Sequence, residues 1–355
     1  MKKTTAISLG VILVIFLAAV FMNSGVSAQG KPCRVEWSRY TGWEPWGYME
    51  ASGILKKHAQ KHKANVELHF ASYGATIDSY ASGNACGIAI TNMDVLIGPA
   101  LGGVDSTALI VGDFSNGNDG VVLRNGATLA DLKGRRAYIV DDSVSTYLLY
   151  RGLEIVGGGV SPRDVTLLNT DEADIVAAFR NDSAPNAAIV TWNPHLMLVR
   201  NDSKVKMVFD SSKIPGEIID MLVVRTDTPD NVKRALVGAW YETMAVMSGR
   251  GPEAKKAREF MAKQAGATPA EFEAQLATTA MFYRAADAAA FTKSPELKRT
   301  MDLVRTFSHK KGLYKGKSPD HVGIQFPDGS VMGNSKNVKL RFNSTYVQLA
   351  AEGKL

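Results

Sequence analysis

The amino-acid sequence predicts an α/β protein of two lobes, each with a mostly parallel sheet flanked by helices, joined by a hinge of two chain crossings. Three observations support this fold class. From Arg34 onward, short apolar runs alternate with longer amphipathic runs, as expected of βαβ units. The same rhythm begins again after residue 121. The segment from Asn231 to Phe307 is Ala-rich with few strand signals, which predicts a helical C-terminal region.

The first 28 residues have the pattern of a secretory signal peptide. Lys2 and Lys3 precede an apolar run from Leu9 to Met22, and small residues follow at 26–28. The apolar run is shorter than the roughly 20 residues that a membrane-spanning helix needs. We therefore expect cleavage after Ala28 and a periplasmic or otherwise extracytoplasmic location for the mature chain.

The predicted elements follow one another as alternating strands and helices. The first series comprises a strand at 34–37, a helix at 47–62, a strand at 66–71, a helix at 75–82, a strand at 87–91 and a helix at 93–100. The second comprises a helical turn at 128–133, a strand at 136–140, a helix at 145–156, a strand at 165–169, a helix at 173–179 and a strand at 187–191. A further strand at 218–224 leads into the helical region.

These elements divide the mature chain into two lobes. Lobe one is expected to comprise residues 29–120 and 223–355, and lobe two residues 121–222, so that the chain crosses between the lobes twice. The segment 322–342 has a Pro-Asp-Gly turn between apolar stretches and predicts a hairpin.

The charge of the chain is mildly basic. It has 41 Lys and Arg residues and 35 Asp and Glu residues, for a formal net charge of +6. The signal peptide accounts for two lysines and no acidic residue, which leaves +4 for the mature chain. The lysines lie in separate segments, such as 56–63 and 310–317, and not on one face interleaved with aromatic residues. Together with export, this distribution argues against nucleic acid as a partner.

The chain has two cysteines, Cys33 and Cys86. Each stands at the start of a predicted strand, directly before its first residue, which would place both at the same edge of a parallel sheet. An oxidising compartment permits pairing. A disulfide and a pair of buried thiols are both compatible with the sequence.

The sequence lacks common enzyme motifs. It contains no G-x-x-x-x-G-K-[ST] loop, no G-x-G-x-x-G after a strand and no G-x-S-x-G elbow. His58 and His62 are four residues apart, but the glutamate of a zinc protease does not follow His58, and a solvated helix face is expected. We therefore predict no catalytic residue, no metal site and no enzyme activity.

Tryptophans stand in loops that follow predicted strands. Trp43 and Trp46 lie in a Gly/Pro-rich turn after the first strand, and Trp192 follows the strand at 187–191. Open α/β sheets bind ligands at the carboxyl ends of their strands, and loops on rigid scaffolds often carry sites. These three tryptophans are therefore predicted to form a ligand-binding platform.

Polar residues occupy the same strand ends. Asn92 and Asp94 follow the strand at 87–91. In lobe two, Ser143 precedes the predicted helix at 145–156 and Ser145 begins it. Such residues also cap helices through their side-chain oxygens, and a carboxylate in the first turn is stabilised by the helix dipole. A structural role at the helix start is therefore an alternative explanation for them.

The two predicted crossings add two carboxylates. Asp119 lies in the glycine-rich outgoing crossing, and Glu217 lies at the turn that enters the return crossing. They complete the predicted ligand-binding set of Trp43, Trp46, Asn92, Asp94, Asp119, Ser143, Ser145, Trp192 and Glu217.

Long stretches of the chain carry a family resemblance. They comprise residues 42–43 with 45–48, then 91–94, 102–108, 112–120, 174–179, 190–194, 209–212 and 214–220. In these stretches the sequence resembles solute-binding proteins of importers in the nitrate, sulfonate and taurine group. More narrowly, it resembles the subfamily encoded beside urea carboxylase-type enzymes and associated with guanidine use.

This resemblance implies a type II periplasmic binding fold, no cofactor, and delivery of the ligand to the membrane permease of an ABC importer, powered by a separate ATPase. A monomer is expected. Cys33 precedes the first strand, whereas a family cysteine would be expected within it, so the resemblance leaves the pairing of the cysteines open.

The predicted site suits a small, nitrogen-rich cation. Aromatic faces attract cations, and a carboxylate holds a planar guanidinium through two parallel hydrogen bonds. Guanidine, as guanidinium, is therefore the first candidate. Urea is the alternative, although its carbonyl would need a donor such as Ser143 or Ser145. Taurine, a sulfonate or nitrate comes third, and an enzyme on the same fold acting on a pyrimidine or amine precursor is the alternative from another class.

Overall fold

The computed structural model describes residues 31–355, and the predicted signal peptide with its cleavage site lies outside them. The described chain contains a nine-stranded and a five-stranded sheet. The strands of the first sheet are β1 (Cys33–Trp37), β2 (Val66–Phe70), β3 (Gly87–Thr91), β4 (Ser106–Ser115), β10 (Ile219–Arg225), β11 (Thr279–Met281), β12 (Gly323–Gln325), β13 (Val331–Gly333) and β14 (Val338–Phe342). Those of the second are β5 (Asp119–Arg124), β6 (Arg136–Ile139), β7 (Thr166–Asn169), β8 (Ala188–Trp192) and β9 (Val205–Asp210).

Thirteen helices in the described part surround these sheets. Those of the first half are α1 (Glu44–Ala51), α2 (Ile54–His62), α3 (Tyr73–Ala81), α4 (Asn92–Val95), α5 (Val144–Val156), α6 (Glu172–Asn181) and α7 (His195–Arg200). Those of the second half are α8 (Asp230–Met247), α9 (Pro252–Gln264), α10 (Pro269–Leu276), α11 (Ala285–Thr292), α12 (Pro295–Lys310) and α13 (Thr345–Ala351). The predicted helical C-terminal region is confirmed, with the short β11 inserted into it.

The α/β fold of two sheets with flanking helices is confirmed, and both sheets are mixed where mostly parallel sheets were predicted. The first has the order β13-β12-β14-β4-β10-β3-β1-β2, with β11 also paired to β4, and the second has the order β7-β6-β8-β5-β9. Strands β1, β2 and β3 are parallel, as are β6, β7 and β8. In contrast, β10 is antiparallel to β3 and β4, and β5 is antiparallel to β8 and β9.

The antiparallel strands are those that receive the chain after it crosses between sheets. The chain leaves the first sheet at the end of β4 and enters the second at β5, and it returns from β9 to β10. The crossing segments are therefore residues 116–118 and 211–218. Strand β10 begins at Ile219 in the first sheet and β5 begins at Asp119 in the second, a few residues from the predicted boundaries. Movement of the two sheets as separate lobes remains a prediction.

Local backbone geometry explains one difference from the predicted elements. The helix predicted over 47–62 is divided into α1 and α2, because Gly53 adopts a left-handed conformation with φ of 79°. Glycine takes this conformation without the steric cost that a Cβ would impose. Strands β4, β5 and β9 and helix α7 were not predicted from the pattern. The hairpin over 322–342 is confirmed as β12 and β13, with β14 added parallel to β12.

The two cysteines are joined. Cys33 and Cys86 form a disulfide with a Cα–Cα distance of 5.4 Å. Their strands β1 and β3 are parallel neighbours, so both residues lie at the same edge of the sheet, as predicted. The disulfide therefore ties the start of β1 to the segment that enters β3.

The core of the first sheet lies at its central strands. All five residues of β3 are buried, as are nine of the ten residues of β4. In the second sheet, β8 is buried at all five positions. These buried strands are close-packed and form the scaffold from which the loops at their ends project. None of the helices within residues 31–355 combines the length and apolar character needed to cross a bilayer.

Candidate ligand-binding site

A small cavity lies where strand ends of the two sheets meet. It is narrow, with a volume of about 10 Å³, which is close to the room that a single water molecule needs. The first sheet and its connections contribute Tyr40, Trp43, Tyr73, Thr91, Ile218 and Asp220. The second sheet and its helix α5 contribute Asp119, Val144 and Trp192. A ligand in this cavity would touch both sheets.

Four aromatic rings form a continuous wall of the cavity. The ring centroids of Tyr40 and Trp43 are 5.1 Å apart, those of Trp43 and Tyr73 are 5.5 Å apart, and those of Tyr73 and Trp192 are 5.8 Å apart. None of the four residues is more than 4 % exposed. Their π faces carry negative charge density, so this wall favours a cation or a flat, stacked ligand.

Trp192 reaches from the second sheet to the first. It ends β8, and its indole Nε1 donates a hydrogen bond of 2.8 Å to the backbone oxygen of Arg39, in the loop after β1. The bond fixes the orientation of the ring, because indole has a single polar atom to satisfy. The aromatic wall is thus assembled across the two sheets.

Carboxyl groups provide the polar part of the cavity. Asp119 begins β5 and Asp220 lies in β10, and both line the cavity. Asp220 stands directly opposite Asp113 of β4 in the antiparallel ladder. Asp113 in turn accepts a hydrogen bond of 2.9 Å from the hydroxyl of Tyr40, which makes it the second layer behind Asp220.

Asp94 forms a similar second layer behind another wall residue. It accepts a hydrogen bond of 2.5 Å from the hydroxyl of Tyr73, and its own amide donates to the hydroxyl of Thr91, the N-cap of α4. Thr91, and not Asp94, is therefore the residue that caps α4. The other oxygen of Asp94 is buried without a hydrogen-bond partner.

These carboxyl groups are buried without a balancing cation. No Lys, Arg or His lines the cavity, and within residues 31–355 none of the four carboxyl groups forms an ion pair. Burial raises the pKa of Asp94, Asp113 and Asp119 to about 7. It raises the pKa of Asp220 well above its usual range, and the charges of Asp113 and Asp119 add to that effect.

The cavity tyrosines act as hydrogen-bond donors. Burial, followed by the adjacent carboxylates, raises the pKa of Tyr40 and of Tyr73 well above the usual value for a phenol. Both hydroxyls consequently keep their protons and donate to Asp113 and Asp94. The aromatic wall and the carboxyl groups are therefore one hydrogen-bonded unit.

Glu217, predicted as a ligand carboxylate, has protein partners instead. Its oxygens accept hydrogen bonds from Arg151 at 2.8 and 2.7 Å, and from the hydroxyl of Tyr147 at 2.7 Å. The residue does not line the cavity. Its charge is neutralised by the Arg151 guanidinium, which leaves no unbalanced carboxylate for a ligand.

Trp46 and Asn92 also lie outside the cavity lining. Trp46 belongs to the first turn of α1 and packs against Trp240 of α8, with ring centroids 4.7 Å apart, so it is a core residue. The side chain of Asn92 donates to the backbone oxygen of Glu217 and accepts from the amide of Ile219. It therefore holds the return crossing against α4 and has a structural function.

The two predicted serines lie at the start of α5. Ser143 is its N-cap, since its hydroxyl accepts from the amide of Ser145 and donates to the backbone oxygen of Val140. The hydroxyl of Ser145 is buried without a partner. Neither lines the cavity, although their neighbour Val144 does. Of the nine predicted residues, the lining includes Trp43, Asp119 and Trp192.

The lining also includes residues that the pattern did not select. Tyr40 and Tyr73 are aromatic residues at strand-to-helix connections, the same signal that identified Trp43. Asp220 interrupts the apolar strand β10, and Asp113 interrupts the apolar strand β4. A carboxylate inside an otherwise apolar strand was the available signal, because such a group is rarely buried without a function.

No group of His, Cys, Asp and Glu in residues 31–355 has an arrangement that would hold a metal ion. The described site consequently offers aromatic faces, carboxyl groups and tyrosine hydroxyls as its binding chemistry.

Comparison with known proteins places the fold. No family model matches the sequence, and no curated protein matches it significantly. Among solved structures, the alkanesulfonate-binding protein SsuA from Xanthomonas axonopodis pv. citri, bound to MOPS, is similar with a TM-score of 0.62 and 14 % identity. The similarity covers 82 % of this chain and 96 % of that one.

Two further structures show the range of proteins with this architecture. The periplasmic nitrate-binding protein NrtA from Synechocystis PCC 6803 has a TM-score of 0.57 and 13 % identity, over 92 % of this chain and 98 % of that one. The desulfurization enzyme DszB has a TM-score of 0.53 and 13 % identity, over 79 % and 93 % of the respective chains. The chain thus has the fold of periplasmic binding proteins, in which two mixed sheets with flanking helices enclose a cavity.

Proposed function

We propose that this chain is an extracytoplasmic solute-binding protein of an ABC importer and that its ligand is a small planar cation, with guanidinium as the first candidate. The observation that carries the proposal is the cavity itself. Aromatic faces and uncompensated carboxyl groups converge there without a cationic side chain. The signal-like N terminus, the fold and the sequence resemblance support export and delivery to a permease with its ATPase.

The charge of the site favours a cation over an anion. A sulfonate or nitrate needs Lys, Arg or an array of N–H and O–H donors, whereas two carboxyl groups line this cavity and two more stand directly behind. Above the raised pKa values of these groups, where they are ionised, an anion beside them would meet like charges at a cost of several kcal/mol. The ligands of SsuA and NrtA are therefore poor models for the ligand of this chain.

The shape of the site favours a planar ligand of few atoms. Guanidinium can stack on an aromatic face while its edges donate paired hydrogen bonds to carboxylates. Trp43 and Trp192 supply aromatic rings to the cavity lining, and Asp119 and Asp220 supply acceptors from the second and the first sheet. Urea has the same shape without the charge, and its carbonyl oxygen would require a protonated carboxyl group or a hydroxyl as donor.

Contacts across the cavity support capture by closure. The amide of Tyr73, at the start of α3, donates a hydrogen bond of 2.6 Å to Glu172 of α6, and Trp192 donates to Arg39. Each bond joins a residue of the first sheet's helices and loops to a residue of the second sheet or its helices. A ligand that contacts both sheets would favour this closed arrangement, because it binds the closed population more tightly than the open one.

Calorimetric titration of the purified protein with guanidinium, urea, taurine and nitrate tests the proposal. We expect guanidinium to bind with the highest affinity and the two anions to give no saturable heat. Tight binding of an anion with no response to guanidinium would contradict the cationic site. Chemical conversion of the bound molecule, measured by chromatography after incubation, would instead favour an enzyme on this fold.

A further inference from the structure

The carboxyl groups of Asp113 and Asp220 form a pair that cannot carry two negative charges at little cost. They lie directly opposite each other on antiparallel strands, which places their Cβ atoms roughly 4.5–5.5 Å apart, and both are at most 2 % exposed. Like charges opposite each other destabilise a sheet even on its surface. Buried carboxylates at such a distance hold one proton between them.

The surroundings of the pair also support a shared proton. The Oδ2 atoms of Asp113 and Asp220 are buried and without a partner donor. Gly42 lies so close to Asp113 that a Cβ at this glycine would collide with Oδ2, so the oxygen is covered by backbone. A proton shared with Asp220 would satisfy the unpartnered oxygens and remove the repulsion.

We propose that Asp113 and Asp220 share one proton in the ligand-free protein and that a cationic ligand takes the place of that proton, which makes Asp113 a positioning residue that selects charged ligands. The inference rests on the proposed function, because Asp220 is the member of the pair that lines the cavity. On binding, the O–H bond breaks, the proton passes to solvent, and the two carboxylates face the positive charge of the ligand.

The groups that face the pair are consistent with this exchange. They come from three other elements, namely the loop after β1, strand β5 and the segment after β11, and they are Tyr40, Asp119 and Tyr283. All three are neutral or negative, so the protein supplies no positive charge to the ionised pair. A bound cation would supply it.

A neutral isostere is expected to behave differently. Urea brings no charge to offset the second carboxylate, and its carbonyl oxygen can accept a hydrogen bond from the protonated pair. Cation binding should therefore release a proton and weaken on acidification, whereas urea binding should do neither. Discrimination between the two ligands then depends on pH.

The test is calorimetric titration with guanidinium chloride at pH 6 and pH 8, each in two buffers of different ionisation enthalpy and equal ionic strength. The dependence of the heat on the buffer gives the number of protons released. The variant is Asp113→Asn, whose amide can still accept from Tyr40 and donate to Asp220, and the matched control is the exposed Asp78→Asn.

We expect Asp113→Asn to release about one proton fewer than the wild type at pH 6. Its affinity should also fall about tenfold less between pH 8 and pH 6, since the pKa of Asp113 is raised to about 7 in the wild type. Asp78→Asn should match the wild type in both measurements. Equal proton release by Asp113→Asn and the wild type, with guanidinium bound to both, would overturn the shared proton and leave the proposed function intact.

A measurement without ligand distinguishes failure of the shared proton from failure of the proposed ligand. Infrared spectroscopy of the ligand-free protein at pH 7 reports protonated carboxyl groups by their C=O stretch. We expect this band to be weaker in Asp113→Asn than in wild type and Asp78→Asn. An unchanged band overturns the shared proton even if guanidinium does not bind, whereas a weakened band without guanidinium binding supports the pair and refutes the proposed ligand.

Discussion

Two groups of carboxylates in this protein differ in how their charge is balanced. Glu217 is held by Arg151 through two hydrogen bonds, and its side chain is 13 % exposed. Asp119 and Asp220 are more deeply buried and have no cationic partner. A buried carboxylate that is paired with a protein cation already has its charge neutralised, whereas one without a cation is a candidate for binding a ligand. The difference in charge balance, and not the residue type, is the reason that Asp119 and Asp220, but not Glu217, are proposed as ligand carboxylates.

The largest expected effect is on the affinity for guanidinium when one carboxylate of each group is replaced by its amide. Asp220→Asn should lower the affinity for guanidinium by roughly 100-fold, because a charge-assisted hydrogen bond to a buried ligand is worth about 3 kcal/mol. Glu217→Gln should change that affinity by less than about threefold. Calorimetry of both variants at pH 8 checks the contrast, and equal losses would remove the distinction between the two groups.

The ion pair itself should matter for stability. Arg151→Met leaves Glu217 with Tyr147 as its remaining side-chain partner and should lower the free energy of unfolding by about 2 kcal/mol. In the double variant with Glu217→Gln, part of this loss should be recovered, because no unpaired carboxylate remains. Thermal unfolding is the suitable measurement, since the common chemical denaturants are candidate ligands. Strictly additive losses would show that the pair contributes no coupling energy.

The tryptophans offer the same contrast between ligand and core. Trp192→Phe keeps an aromatic face but weakens the attraction for a cation and removes the bond to Arg39, so guanidinium should bind about fivefold more weakly. Trp46→Phe should leave the affinity within about twofold and lower the free energy of unfolding by about 1 kcal/mol through poorer packing on Trp240. Titration calorimetry and thermal unfolding of both variants separate these effects. A larger loss of affinity in Trp46→Phe than in Trp192→Phe would show that Trp46, and not Trp192, contacts the ligand.

The smallest effect is on the stability of the ligand-free protein as a function of pH. The pKa of Asp113 and of Asp119 is raised to about 7 in the folded state, so the folded protein binds more protons than the unfolded chain below that pH. Stability from these groups is therefore fully present below the unfolded pKa and is lost as pH rises through 7. From pH 7.5 to 6.5, each group should add roughly 0.7 kcal/mol.

This stability prediction is checked by thermal unfolding of the wild type and of a variant with both Asp113→Asn and Asp119→Asn across this range. The variant should show a smaller rise in stability on acidification, with the exposed Asp78→Asn as the control. Parallel curves for all three proteins would contradict the raised pKa values.

The sequence allowed part of the site to be predicted because strand ends are readable from periodicity. Trp43 and Trp192 were found as aromatic residues after strands, and Asp119 as a carboxylate at a crossing, and all three line the cavity. Glu217 and Trp46 were chosen by the same reasoning, yet their partners are distant in the chain. Arg151 lies 66 residues from Glu217, and no local pattern indicates that the two meet.

The sequence by itself determined the α/β class, the alternation of elements and the aromatic character of the strand-end loops. These features follow from local periodicity and from glycine and proline at turns. Tertiary structure decided which carboxylates are balanced by a cation. It also joined Cys33 to Cys86 and set Asp220 opposite Asp113, because burial and charge pairing depend on segments that meet only in the folded chain.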